Sequence, residues 1–347
     1  MSTITTIKQI ASRLNISASS VSRALHGHPS IGLRTKMRVA QLAKEMDYEP
    51  NQKAIFFQKG KTFTIGVILP ELSEAFFSSA ISGIEDTASK NNYSVLIGQS
   101  HNGEEREKEI VNMMRKYRVD GLIISMAKKT VNYDHFEMLK KNGIPIIFFD
   151  CIPNLVNINY VACDMQEGAG QAVKFLLKKG HRAIGMINGP EKLLACQQRV
   201  EGYISALQKQ RLKYDPNMIV SSDLSREGTA QALDQLLAQK RKPTAIVLFN
   251  DYVALDAIQI AKEKKLKINE DICFVTCGNG SILDYIAFPP LAALEQFPYL
   301  QGQKAMESLL EILGKQQLNS LESMPNSKII MESKLIIHDN RPSIVHN

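Results

Sequence analysis

The sequence TIKQIA at residues 6–11, followed by SASSVSRAL at residues 17–25, predicts two short helices with only a brief break at residues 14–16. Thr6 and Ser17 are of the types that cap helix N-termini through a side-chain oxygen. Apolar residues recur at helical spacing in both stretches and can close one small core. They are Ile7, Ile10, Ala11, Leu14, Val21, Ala24 and Leu25. This pattern is typical of a helix-turn-helix, whose second helix enters the DNA major groove.

The outer face of the second helix carries short polar side chains and one arginine. Ala18, Ser19, Ser22 and Arg23 are expected to face outward there. A recognition helix reads base edges with residues near its N-terminus, and an arginine can donate two hydrogen bonds to guanine. The sequence therefore predicts double-stranded DNA as a partner of this domain.

The excess positive charge of the chain lies in its N-terminal part. Residues 1–62 hold ten basic and three acidic residues, a net charge of +7, which equals the net charge of the whole chain. The remaining residues sum to zero. Such an asymmetry is the electrostatic signature of phosphate binding. A solvated basic tail is the alternative, but a tail would not also carry caps and a periodic apolar face.

Length and composition limit the remaining possibilities. A chain of 347 residues is expected to form two or three domains. It has no apolar run long enough to cross a membrane and no pattern of a signal peptide, so a cytoplasmic location is expected. The five cysteines are scattered, with no second Cys or His pair beside Cys273 and Cys277. We expect reduced thiols, no metal site and no cofactor.

From Phe63 onward, continuous apolar runs alternate with amphipathic helical stretches, after a third helix expected over residues 32–46. One series of runs covers about residues 64–149, and a second covers about residues 183–276. Continuous apolar strands that alternate with helices predict parallel sheets covered on both faces. Two series predict two α/β lobes, and a cleft between them is the expected place for a small-molecule ligand.

An ordered set of motifs resembles the LacI/GalR family of bacterial transcriptional repressors over about residues 4–343. The motifs are residues 6–11, 21–25, 48–51, 65–70, 180–184, 199–203, 249–255, 290–291 and Gln296. The resemblance implies a small all-α helix-turn-helix domain followed by two α/β lobes with parallel sheets, like a type I periplasmic binding protein. It also implies three chain crossings between the lobes, and a homodimer on a near-palindromic operator.

The implied domains are residues 1–49 for DNA binding and 50–62 for a hinge helix and linker. The N-terminal lobe is expected over 63–162 plus about 292–324. The C-terminal lobe is expected over 163–291 plus about 325–340. The last residues carry no heptad repeat that would make a tetramer, so a dimer is expected.

The resemblance also implies residue roles on the DNA side. Ala18, Ser19 and Arg23 occupy base-reading positions, although Arg23 could instead contact phosphate. The residues expected to contact phosphate are Ser17, Ser22, Arg34 and Thr35. Thr6, the cap of the first helix, belongs to the same DNA-binding set. In the hinge, Asn51 and Ala54 approach the minor groove, and Phe57 stands where the family usually has a leucine wedge that kinks the duplex. Packing of Phe57 on the core is the alternative.

On the effector side, Asp150, Arg199, Asn250 and Gln296 match family contacts, and Phe76 or Phe77 could line the near wall. Each also has a structural alternative, above all Asp150 as a strand-end cap. The family's Asp is replaced by Gly278, and an aromatic residue that often stacks on the ligand is replaced by Leu224. The resemblance implies a sugar-like effector, a carbohydrate or a derivative of one, but these two replacements disfavour an ordinary monosaccharide. A modified or phosphorylated sugar, a nucleoside-like molecule, or no ligand remain as alternatives.

Other classes of protein fit the sequence less well. The segment Gly168-Ala169-Gly170 is an incomplete dinucleotide-binding pattern, and no P-loop, nucleophile elbow or HExxH occurs, so an enzyme is not expected. A free periplasmic binding protein would need a signal peptide and no basic head. An operator binder that ignores small molecules, or responds to a protein partner, remains the main alternative.

Overall fold

A computed structural model describes residues 5–49, 61–317 and 327–338. The chain divides into two compact units, Met1–Thr62 and Phe63–Asn347.

The first unit contains three helices: α1 (Ile7–Leu14), α2 (Ala18–Leu25) and α3 (Leu33–Glu45). Asn15 ends α1 in the left-handed conformation, with φ of 54°, which turns the chain sharply toward α2. The Ser17 hydroxyl accepts the backbone N–H of Ser20 and so caps α2, as the sequence predicts. The buried core joins all three helices through Ile10, Ala11, Val21, Ala24, Val39 and Ala43.

The first lobe of the second unit is built on a six-stranded sheet. Its strands are β1 (Thr64–Leu69), β2 (Ser94–Gln99), β3 (Gly121–Ile124), β4 (Ile146–Phe149), β5 (Asn159–Cys163) and β11 (Lys328–Met331). They pair in parallel in the order β11-β5-β4-β3-β1-β2. Side chains alternate between the faces, so Ile65 and Val67 enter one core while Ile68 enters the other. Helices α4 (Ala75–Lys90) and α11 (Pro298–Gln317) cover the first face, and α5 (Glu104–Lys116) and α6 (Asp134–Lys141) cover the second.

The second lobe repeats this arrangement on its own six-stranded sheet. Its strands are β6 (Ile184–Asn188), β7 (Ile219–Ser221), β8 (Ala245–Leu248), β9 (Cys273–Thr276), β10 (Ala292–Glu295) and β12 (Lys334–Ile337). The order is β12-β10-β9-β8-β6-β7, with only β12 antiparallel to its neighbour. Helices α7 (Met165–Lys178) and α8 (Leu194–Lys209) cover one face, and α9 (Arg226–Leu237) and α10 (Asp251–Glu263) cover the other.

The chain crosses between the lobes after β5, after β10 and between β11 and β12. Two parts of the expected division are wrong. Strand β10 was expected in the first lobe, but Ala292 and Ala293 pair with Val275 and Thr276 of the second sheet. Strand β11 was expected in the second lobe, but it pairs with β5 of the first sheet. The return to the first lobe is therefore made by α11, whereas β10 remains with the second.

Candidate functional site

The second helix of the first unit exposes part of the predicted DNA-reading set. Ser19 and Arg23 are exposed, and within the described residues Arg23 forms no ion pair. Ser22 is half-buried. Ala18 is also half-buried and packs against the three-helix core, so the expectation that it faces fully outward is wrong. Arg23 is therefore the one long donor on this face of α2.

The supporting residues flank this helix. Ser17 is exposed but its hydroxyl is engaged as the cap of α2. The carboxamide oxygen of Gln9 accepts both the backbone N–H of Thr6 at 2.7 Å and its hydroxyl at 3.1 Å, which fixes the start of α1. Arg34 is exposed and Thr35 half-buried in the first turn of α3. Asn51, Ala54 and Phe57 lie outside the described residues.

A cavity of about 530 Å³ lies between the two lobes of the second unit. All six predicted effector residues line it: Phe76, Phe77, Asp150, Arg199, Asn250 and Gln296. They come from different elements, because Asp150 follows β4, Asn250 follows β8 and Gln296 follows β10. The carboxyl ends of parallel strands meet at this edge of each sheet, which is where open α/β sheets bind ligands.

Arg199 is a buried cation in the wall of this cavity. It is only 5% exposed, and its guanidinium lies 4.4 Å from the centre of the Phe249 ring. One guanidinium N–H donates to the carbonyl of Ala195 at 3.0 Å, whereas Nε is buried without a partner. Within the described residues it forms no ion pair with a carboxylate. Because the guanidinium lines the cavity, a ligand oxygen can accept from it there.

Asp150 lines the same cavity at the end of β4, with its backbone in the left-handed region at φ of 56°. Its carboxylate accepts the hydroxyl of Ser125 at 3.1 Å. Burial raises the pKa of Asp150 to about 6, against the opposing attraction of Lys128 and Arg199. The group thus has a hydrogen bond in the wall but no cation in direct contact.

Asn250 and Gln296 are already engaged by the protein. The side-chain oxygen of Asn250 accepts the N–H of Val253 at 3.0 Å and caps α10. The Gln296 side chain donates to the carbonyl of Cys277, and the backbone carbonyl of Gln296 accepts from the Gln301 side chain at 2.8 Å. Both residues therefore have a structural role within the protein. The amide group of Asn250 remains as a donor for a ligand.

Aromatic rings line the cavity, although not from the position that the sequence suggested. Leu224 is not among the lining residues and packs half-buried against the hydrophobic core. Phe249 supplies a flat surface beneath Arg199, and Phe76 is half-buried at the near wall. Phe77 is 2% exposed and packs edge-on against Phe149, so most of its ring belongs to the core.

Several lining residues were missed by the sequence analysis. Lys128 follows β3, lies over the Phe249 ring and pairs with Glu74 at 3.4 Å. Asp251 and Tyr252 begin α10 beside the predicted Asn250. The signal that could have found Lys128 and Asp251 is their place just after a predicted strand, where ligand-binding residues of such sheets collect.

Two family descriptions match the chain. Residues 6–51 match "Bacterial regulatory proteins, lacI family", and residues 62–338 match "Periplasmic binding proteins and sugar binding domain of LacI family". The chain belongs to the LacI family. Its members carry a helix-turn-helix head and a binding domain related to periplasmic sugar-binding proteins, which is the arrangement found here.

The relatives of this LacI-family chain include transcriptional repressors. The HTH-type transcriptional repressor CytR of Escherichia coli strain K12 is 30% identical over 329 residues, or 95% of this chain and 96% of the relative. Catabolite control protein A of Priestia megaterium is 30% identical over 91% of this chain and 94% of the relative. The crystal structure of the Lac repressor dimer bound to operator and the anti-inducer ONPF has a TM-score of 0.80. The two chains are 23% identical, and the match covers 96% of this chain and 98% of the Lac repressor chain, which shows the shared fold.

The described residues hold neither a membrane span nor a metal site. No helix among them is long and apolar enough to cross a membrane. No group of three or more His, Cys, Asp or Glu residues in the same part of the chain could hold a metal ion. The five cysteines are free thiols, and burial raises the pKa of each.

Proposed function

We propose that this LacI-family protein is a transcriptional repressor that binds a near-palindromic operator as a homodimer and is controlled by a small molecule between its lobes. The observation that carries the proposal is one chain that joins a basic helix-turn-helix head to a lined cavity of about 530 Å³. That volume is in the usual range for sites that enclose a small ligand. An operator lies in the bacterial cytoplasm, so the protein works there.

In the head, α2 enters the major groove and Arg23 reads a guanine, because it is the long donor exposed on this helix. Ser17, Ser22, Arg34 and Thr35 contact phosphates and set the register, while Ser19 adds a hydroxyl contact. The partly exposed methyl group of Ala18 makes an apolar contact with a base. Asn51 and Ala54 approach the minor groove, and Phe57 acts as the wedge.

In the core, the effector lies among Phe76, Asp150, Arg199 and Asn250, with Gln296 and Phe77 shaping the wall behind them. Because these residues come from both lobes, a ligand that contacts them all favours one angle between the lobes. The shift in DNA affinity can be no larger than the ligand's preference for that state, typically about 1–3 kcal/mol.

The test is selection of bound sites from random DNA duplexes by the full-length protein at several salt concentrations. We expect enrichment of an inverted repeat and an affinity that falls steeply with salt. The variant Arg23→Ala should lose the choice of base at one position of each half-site, whereas Arg115→Ala, an exposed arginine of α5, keeps the full preference. Binding with no inverted-repeat preference would overturn the proposal.

Calorimetry with a metabolite panel tests effector control on the same protein. A ligand whose binding heat disappears in Arg199→Ala and which changes operator affinity supports the cleft as the control site. An intact operator preference with no ligand-dependent change would instead favour the alternative, an operator binder that has no small-molecule effector or is controlled by a protein partner.

A further inference from the structure

One carboxylate in the cleft shapes the loop beside it. Asp251 begins α10, and its Oδ2 accepts the backbone N–H of Gly280 at 2.7 Å. A Cβ atom at Gly278 would lie 2.8 Å from both carboxylate oxygens, and one at Gly280 would lie 2.9 Å from Oδ2. Any side chain at Gly278, including the Asp of the family pattern, would therefore displace this carboxylate.

Within the part of the chain that the structure describes, no cation pairs with Asp251. Burial raises the pKa of Asp251 to about 6, and the neighbouring Glu295 and Glu74 raise it further, while hydrogen bonds from Gly280 and Thr276 oppose them. Glu74 and Lys128 lie nearby, but they form an ion pair with each other. Within the described residues, neither Asp251 nor Asp150 forms an ion pair.

The cavity as a whole is acidic. Glu74, Asp150, Asp251 and Glu295 face it with four carboxylates, against the two cations Lys128 and Arg199. Glu295 is held by Asn279 at 2.8 Å and by the N–H of Phe297 at 2.6 Å, which are neutral donors. An anionic ligand would enter a cleft that already carries excess negative charge, whereas a cationic ligand would neutralise it.

The Arg199 guanidinium is a separate indication that this cavity takes a ligand. The side chain is nine-tenths buried and lines the cavity, and within the described residues it has no carboxylate partner. A neutral hydroxyl or carbonyl oxygen can accept from the guanidinium without adding negative charge. The cavity thus offers a guanidinium donor and, at Asp251, a carboxylate that forms no ion pair within the described residues.

Resting on the proposed function, we propose that the effector is an amine-bearing polyhydroxyl compound, and that Asp251 selects the protonated amine against phosphorylated forms of the same ring. The hydroxyl groups of the ligand accept from Arg199, and its ammonium group donates to the carboxylate of Asp251. Phosphorylated sugars, which the sequence left open, are disfavoured by the charge balance.

The experiment is calorimetry of the full-length protein at pH 8 with matched triplets. Each triplet contains a hexose, its 2-amino form and its 6-phosphate: glucose, galactose and mannose with their derivatives. We expect at least one amine member to bind about tenfold more tightly than its parent and more tightly than its phosphate. The variant Asp251→Asn keeps the size of the side chain and an acceptor for the N–H of Gly280. In this variant, the affinities for the amine and for its parent sugar should differ by no more than about twofold.

A matched control removes a carboxyl elsewhere on the same lobe. Asp234→Asn lies on α9, and the Asp234 side chain is 59% exposed, so the amine preference should persist. Equal or tighter binding of the parent or the phosphate, an unchanged gap in Asp251→Asn, or no binding by any amine member overturns the proposal. Operator binding measured on the same samples separates these outcomes from failure of the repressor function.

Discussion

The side-chain hydroxyl of Tyr252 donates a 2.9 Å hydrogen bond to the backbone carbonyl of Ser73, across the cleft between the two lobes. The same hydroxyl accepts the backbone N–H of Ala75 at 3.2 Å. Ala75 is the first residue of α4, where a helix leaves its N–H groups without partners, and Glu74 supplies no side-chain cap. A residue at the start of α10 in the second lobe therefore completes the start of a helix in the first.

We predict that Tyr252→Phe shifts the core toward an open state. The ring still packs, but two hydrogen bonds between the lobes are lost, which weakens closure by about 1–3 kcal/mol. Hydrogen exchange should show faster exchange of the Ala75 amide, and X-ray scattering should show a larger radius of gyration. Tyr214→Phe, whose ring is part of the second lobe and is 38% exposed, is the control. Unchanged exchange at Ala75 would contradict the role of the hydroxyl.

Arg23→Ala should reduce affinity for the selected operator by about 1–3 kcal/mol and relax the choice of base at one position of each half-site. Arg34→Ala should instead reduce the affinity for all duplexes by similar factors. It should also reduce the slope of log affinity against log salt concentration by about one. Titrations of operator and scrambled duplex at several salt concentrations distinguish the two. A uniform loss in Arg23→Ala would mean that this arginine contacts phosphate.

Phe57→Ala should reduce operator affinity while leaving effector affinity nearly unchanged. The reason is the predicted wedge, since an apolar side chain inserted between base steps opens the minor groove and a methyl group cannot. The measurement combines operator titration with a DNA-bending assay of the same complex. Equal operator affinity and equal bending by the variant would leave Phe57 without a role in the groove.

The sequence predicts the layers of this fold well because the signals are local. Runs such as Thr64–Leu69 and Gly121–Ile124 are continuously apolar, and helix periodicity separates them. The assignment of β10 and β11 to lobes is wrong because the sheet that each strand joins depends on pairing with strands distant in sequence. The same holds at the site, where Asp150 and Arg199 follow from a family motif, but the Lys128 pair with Glu74 depends on loops far apart in sequence.

Glu107→Ala should destabilise the second unit by about 3 kcal/mol. The Glu107 side chain is fully buried and accepts three hydrogen bonds, from Thr130 at 2.7 Å, Ala127 at 2.6 Å and His135 at 3.0 Å. It thereby fixes the loop that presents Lys128 to the cleft. Glu105→Ala, on the same helix with a side chain 85% exposed, should cost less than about 1 kcal/mol. Urea denaturation of both variants checks the difference, and equal midpoints would contradict it.

Asp150→Asn should stabilise the protein at pH 8 and have no such effect near pH 4. Burial raises the pKa of Asp150 from 3.8 to about 6, so the folded state binds this proton more tightly than the unfolded state does. Stability attributable to the carboxyl is therefore lost as pH rises from about 4 to about 6, and the neutral amide avoids that loss. The expected gain above pH 7 is about 1–2 kcal/mol, because the carboxyl is partly exposed to the cleft. Asparagine also tolerates the left-handed backbone at this position, so any conformational gain is the same at every pH. Urea denaturation of wild type and variant at pH 4.5, 6 and 8 isolates the titration, and a stability difference that does not change with pH would show that the carboxyl titrates normally.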